Sequence, residues 1–168
     1  MNNKLTDQEK EVIEKKGTEA PFSGKYYNHK ENGTYICKKC GSELYSSNAK
    51  FDSGTGWPSF TKPLESENIV EKTDKTLGVT RTEVRSKNAD SHLGHVFDDG
   101  PEEEGGRRFC TNSASLLFVP KEDMEKEERE KEVASENKES AEKSTASFKS
   151  FLENCNKKKD RYCSCGTF

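Results

Sequence analysis

Apolar residues along this chain come in short runs separated by Gly, Asn, Asp and Pro, as at Thr34–Ile36, Leu77–Val84 and Leu116–Val119. Runs of this length between turn-forming residues predict short antiparallel strands. The segment Leu77–Arg85 alternates in part between apolar and polar side chains, as a half-buried strand should. Ahead of these runs, Leu5, Val12 and Ile13 fall on one face of a short helix, with Thr6 as its cap and Glu9 three residues on. The pattern stops after residue 120. Of the 30 residues from 121 to 150, 17 are charged, ten acidic and seven basic. Glu122–Lys126, Glu125–Arg129 and Glu127–Lys131 are spaced for i,i+4 pairs worth about 0.2–0.5 kcal/mol each. This segment is expected to be a solvated, partly helical linker, and its charges imply no function. Phe148, Phe151 and Leu152 then form a small apolar patch leading into Cys155, Cys163 and Cys165. The sequence contains no internal repeat.

Composition sharpens this division. Hydrophobic residues make up 29% of the 168 residues and charged ones 35%, while Leu, Ile, Val and Phe number only 27. That level would imply disorder at high net charge, but the net charge is −3, so a small folded core is diluted by a polar segment. Residues 21–120 carry ten of the 12 glycines, the single Trp and all three histidines. No apolar run opens the chain, and none approaches the roughly 18 residues of a membrane span, so a cytoplasmic protein without a membrane partner is expected. The slight acidity argues against a nucleic-acid partner, which calls for a basic face. Six cysteines in such a chain point to metal or redox chemistry before a disulfide framework.

Four groups of residues carry candidate chemistry. Cys37-Lys-Lys-Cys40-Gly41 is a knuckle whose two thiols can grip one face of a zinc ion; a structural site needs two more ligands, and none follows within the core. Two free thiols are the plain alternative. His92 and His95 stand three residues apart beside Asp98 and Asp99, a cluster suited to metal binding or to proton movement near neutral pH. Trp57, in Gly54-Thr-Gly-Trp-Pro58, is either a core anchor or an aromatic wall for a small apolar ligand. Cys110 follows Arg107 and Arg108, whose charges would favour its thiolate; otherwise it is an inert strand cysteine. A thiolate, two histidines and a carboxylate suit either a hydrolase or a redox enzyme.

Longer segments narrow the choice. Gly17-Thr-Glu-Ala-Pro-Phe-Ser-Gly24, Lys50-Phe-Asp-Ser-Gly-Thr-Gly-Trp-Pro-Ser-Phe60, Ser91-His-Leu-Gly-His-Val-Phe-Asp-Asp-Gly-Pro101 and Arg108-Phe-Cys-Thr-Asn-Ser-Ala-Ser-Leu116 occur in this order. Together they resemble the methionine-R-sulfoxide reductase B family, from about Leu5 to Pro120. The resemblance implies a mainly β fold of two antiparallel sheets with short N-terminal helices over residues 1–120. The linker at 121–150 and a cysteine-containing tail at 151–168 would follow as a charged C-terminal extension. It implies an oxidoreductase that returns the R epimer of methionine sulfoxide, free or in proteins, to methionine. Cys110 would be the nucleophile. His95, with His92 and Asp99, would position or protonate the oxygen; Arg108 would hold the thiolate, Asn112 would orient the site, and Trp57 would receive the ε-methyl group. No cofactor is required, and thioredoxin or a similar dithiol is the implied reductant.

The chain departs from the family pattern at two places. Many members carry a resolving cysteine where this chain has Thr55, and zinc-binding members have a second CxxC where it has Ser86 and Ala89. Resolution of a Cys110 sulfenic acid is therefore expected from Cys155, Cys163 or Cys165, since a linker of about 30 residues spans roughly 30 Å. Two alternatives remain open: Cys163 and Cys165 completing a zinc site with Cys37 and Cys40, or Cys37 or Cys40 itself resolving Cys110. A Cys–His hydrolase and a zinc-knuckle adaptor are the rival functions, and neither accounts for the Trp, His and Cys segments occurring together.

Overall fold

Thr6 opens α1 (Asp7–Ile13) in this computed structural model, which describes residues 4–126 and 129. The Thr6 hydroxyl accepts from the Glu9 N–H, and the Glu9 carboxylate accepts from the Thr6 N–H, so the capping box forms. Val12 and Ile13 are buried, whereas Leu5 lies ahead of the cap, outside the helix. Residues 121–126 are helical. The rest of the expected linker apart from Arg129, together with Phe148, Phe151, Leu152, Cys155, Cys163 and Cys165, lies outside the described residues. Among the described residues no helix is long and apolar enough to cross a membrane.

Strands supply most of the regular structure in the compact unit that ends at Met124. In chain order they are β1 (Gly33–Cys37), β2 (Glu43–Ser46), β3 (Lys50–Phe51), β4 (Ser59–Phe60), β5 (Ile69–Asp74), β6 (Arg81–Ser86), β7 (His92–Phe97), β8 (Arg108–Thr111) and β9 (Leu116–Pro120). They form two antiparallel sheets, a three-stranded one in the order β2-β1-β9 and a six-stranded one in the order β3-β4-β8-β7-β6-β5. The mainly β, two-sheet architecture is the one the sequence implies. One strand differs from expectation. The run from Leu77 does not start a strand, because Thr76–Gly78 forms a 3₁₀ turn and Gly78 sits at φ +73°; β6 begins only at Arg81. Nor does β6 alternate at its end, since Glu83, Val84, Arg85 and Ser86 are all buried. The strand lies between β5 and β7, and its polar side chains find internal partners.

Aromatic rings compensate for the scarcity of aliphatic residues. Tyr35, Tyr45, Phe60 and Phe109 are fully buried with Leu44, Leu93 and Leu116, and the Tyr45 and Phe60 rings stack with centroids 4.4 Å apart. Each such ring removes about 150–250 Å² from water, more than an aliphatic side chain does. The β7–β8 pairing then sets the geometry of the site by placing His95 opposite Cys110 and Gly94 opposite Thr111. A Cβ on Gly94 would lie 1.9 Å from the Cys110 carbonyl oxygen, so only glycine lets the two strands approach this closely.

Candidate active site

Strand pairing brings the candidate residues to one small pocket. Trp57, His95, Cys110 and Asn112 line a cavity of about 120 Å³, joined by Thr18, Arg81 and Phe97. His95 and Cys110 come from adjacent strands. Asn112 follows β8 immediately and is buried: its Nδ2 donates to the Leu93 carbonyl at 3.1 Å, and its Oδ1 accepts from the Glu19 N–H at 3.1 Å. Trp57 is held from the same side, its indole N–H donating to the Glu19 carbonyl at 3.0 Å. Glu19 also accepts from the Ser113 and Ala114 N–H groups at 2.6 and 3.1 Å. The segment Gly17–Gly24 is thus a strap that ties Trp57 to Asn112 across the pocket wall.

The acidic partners are not the ones that adjacency in sequence suggested. His95 Nε2 donates to Asp74 Oδ2 at 2.8 Å. Asp74 also accepts from the Thr76 hydroxyl and N–H at 2.6 and 3.0 Å and from Arg81 at 3.0 Å. The Thr76 hydroxyl, seconded by His95, holds the Asp74 carboxyl well below the usual carboxylate range. His92 does not line the pocket. It is buried behind it, its Nδ1 2.7 Å from Glu83 Oε1, its ring centroid 5.5 Å from that of His95, and its Nε2 without a partner among the described residues. Burial pushes the His92 imidazole down more than Glu83 pulls it up, so His92 rests neutral. Asp99 touches neither histidine. It takes the Arg108 guanidinium in a two-point grip, 2.8 Å from both Nε and Nη2.

Cys110 corrects another expectation. Burial raises its thiol above the ordinary range, and the opposing pull of Arg108 and the Thr55 hydroxyl does not make up the difference. Only one of the two arginines acts on it, because Arg107 stacks over the Phe109 ring at 4.9 Å and pairs with Glu71. In the resting site Cys110 is therefore a thiol. Thr55 is its neighbour and is fixed in turn by a hydroxyl chain, Thr55 to Ser53 to Ser59, with both links 2.7 Å long.

A family profile described as the SelR domain matches residues 5–120. The chain belongs to the SelR family. Its curated relatives include proteins named "Peptide methionine sulfoxide reductase MsrB" from Staphylococcus saprophyticus, 54% identical, and Staphylococcus haemolyticus, 50% identical. Each alignment runs over 123 residues, which is 73% of this chain and 87% of the relative. The resemblance drawn from the sequence segments is thereby borne out.

The knuckle of this SelR chain lies apart from the pocket. Cys37 ends β1 and is buried, and Cys40 is half-buried; both are free thiols. Among the described residues the knuckle offers two sulfur donors, two short of a tetrahedral structural site: Ser86 sets its hydroxyl 3.3 Å from Cys40 Sγ, and Ala89 packs its methyl against the apolar core. Among the described residues no group of three or more metal-ligating side chains occurs.

Sequence patterns alone missed Asp74, Glu19 and Glu83. For Asp74 the signal was present in Asp74-Lys-Thr76, the spacing at which an aspartate caps its own turn. For Glu19 no local signal exists, since its partners lie on a distant segment, and for Glu83 the nearness of Arg85 and His92 shows only once β6 pairs with β7.

Proposed function

We propose that this protein reduces methionine-R-sulfoxide, free or within proteins, to methionine, with Cys110 as nucleophile. One observation carries it: a thiol, a carboxylate-backed imidazole and an indole converge on one pocket of about 120 Å³. Each wall suits one part of a methyl sulfoxide, since the indole takes the methyl group and His95 takes the oxygen. Cys110 Sγ attacks the sulfoxide sulfur, the thiol proton is relayed through His95 to the oxygen, and that hydroxyl passes to Cys110 Sγ as the S–O bond and the transient bond between the two sulfurs break. The thiol sulfur is oxidised to Cys–SOH as the substrate sulfur is reduced to the thioether. A second thiol then displaces hydroxide from the sulfenic acid as water and leaves a disulfide, which a dithiol reductant opens. Thr55, the neighbour of Cys110, carries no sulfur, so we assign this second step to Cys155, Cys163 or Cys165. Thioredoxin or a similar dithiol in the cytoplasm completes the cycle.

Turnover of the separated R and S epimers of a methionine sulfoxide substrate, with dithiothreitol as reductant, tests the proposal. Consumption of the R epimer alone is expected. Equal consumption of both epimers, or of neither by folded and reduced protein, would refute it.

In this mechanism Asp74 is a positioning residue that acts through His95. Asp74→Asn is expected to lower kcat by about 10²-fold with a smaller change in KM. A loss that falls on KM or on thermal stability in place of kcat would reduce Asp74 to a structural residue.

A further inference from the structure

Among the described residues, the knuckle is a reactive thiol group that the proposed chemistry does not use. Cys37 and Cys40 stand at i and i+3 of a tight turn, closed by the Gly41 N–H donating to the Cys37 carbonyl at 2.8 Å, with Gly41 at φ +75°. The Cys37 N–H donates back to the Ser42 carbonyl at 2.8 Å, so the turn is pinned at both ends. Cys37 belongs to the apolar core cluster, and Cys40 packs against that cluster. Cys40 Sγ also lies 3.2 Å from the Ser42 hydroxyl and 3.3 Å from the Ser86 hydroxyl, two donors that stabilise negative charge on sulfur. The Ser42 hydroxyl is itself held, accepting from Asn88 Nδ2 at 2.8 Å. Ser86 and Ala89 bring no thiol to this turn. What remains is a pair of adjacent thiols, one reachable from solvent and one fully buried behind it.

We infer that Cys37 and Cys40 form a redox-active dithiol, separate from the Cys110 site, that closes to a disulfide by exchange with a small-molecule disulfide. Burial sets the order of events. Cys40, the accessible sulfur, attacks the disulfide RSSR, forming Cys40–S–S–R and releasing one RS⁻. Cys37 then attacks Cys40 Sγ, forms the Cys37–Cys40 bond and expels the second RS⁻. Two protein thiols lose two electrons in all, RSSR gains them, and the two thiol protons end on two RSH. The hydroxyls of Ser42 and Ser86 serve the first step by solvating the attacking sulfur. Cys37 needs no activation, because its target arrives beside it. The inference is independent of the reductase chemistry, since it concerns the small sheet and the turn after β1.

The experiment uses the full chain with Cys110, Cys155, Cys163 and Cys165 all replaced by Ser, reduced, freed of metal and treated with glutathione disulfide. Intact mass and peptide mapping are expected to show a loss of about 2 Da located to a Cys37–Cys40 bond, reversed by dithiothreitol. A stable glutathione adduct on Cys40, or no reaction, would overturn the inference. In the same background Cys40→Ser is expected to abolish reaction at Cys37; a Cys37 adduct there would overturn the assigned order. The unsubstituted chain is then titrated with zinc. If it takes up one equivalent through Cys37, Cys40 and tail cysteines, and that metal blocks disulfide closure, the pair is a metal site and the inference fails. Circular dichroism of each variant separates loss of chemistry from loss of fold.

Discussion

Cys110→Ser is expected to lower turnover of the R epimer by about 10⁴-fold or more while leaving the fold intact. The substitution keeps nearly the same volume on β8, where Phe109 is buried in the core and Thr111 bonds to Pro58, so neither sheet need shift. A serine hydroxyl in this pocket is a far weaker nucleophile towards sulfur, and it cannot pass through a sulfenic acid. The measurement is single-turnover methionine formation with wild type and variant at matched concentration, together with thermal unfolding of both. In the wild type without reductant, one methionine is expected per active site, accompanied by a Cys110 sulfenic acid or a disulfide to a tail cysteine. Turnover that survives the substitution would remove Cys110 from the chemistry. Ester or amide cleavage by the wild type, independent of dithiol, would favour the Cys–His hydrolase instead.

The parts of this site that were legible in the sequence are those that strand geometry and turn chemistry dictate locally. Thr6 and Glu9 announce a helix start, and the short apolar runs announce strands, because both patterns depend on residues within one or two turns of each other. Cys110, His95, Trp57 and Asn112 were legible through their segments. The carboxylates were not. Asp99 lies beside the histidine motif in sequence, yet β7 ends at Phe97 and the turn that follows carries Asp99 to Arg108. Glu83 lies nine residues from His92, but antiparallel pairing of β6 with β7 brings them together. The two arginines before Cys110 looked equivalent. Side chains alternate along a strand, so Arg108 shares the face of Cys110 while Arg107 turns with Phe109 to the other. The rise of the Cys110 thiol was invisible for another reason: it comes from burial, which only the closed pocket produces.

Glu83→Ala is expected to cost about 3–5 kcal/mol of stability, a large share of the roughly 5–15 kcal/mol that holds a domain of this size together. Glu83 is 1% exposed and accepts from Lys16 Nζ at 2.9 Å, Arg85 Nη1 at 2.7 Å and His92 Nδ1 at 2.7 Å. Removing it strands a buried guanidinium and a buried imidazole N–H, and the desolvation of both is then uncompensated. Lys16 can turn to solvent, so most of the cost falls on Arg85, which keeps Asp90, and on the His92 imidazole, which keeps no partner among the described residues. Glu83→Gln preserves the volume and an acceptor oxygen and is expected to cost less. The same network sets a pH dependence. Burial pushes the Glu83 carboxyl up, but the hydrogen bonds from Lys16, His92 and Arg85 outweigh it and bring it from an ordinary 4.5 down to about 2. A carboxyl held low in the folded state contributes stability that is present above its unfolded value and disappears as pH falls from about 4.5 through about 2. Other carboxylates in this protein titrate in the same window, so the informative quantity is a difference. Urea unfolding at pH 7 and pH 3 should show a wide gap between wild type and Glu83→Gln at pH 7 and a narrower one at pH 3. A gap that does not close would mean that the charge on Glu83 is not what secures β6 to β7.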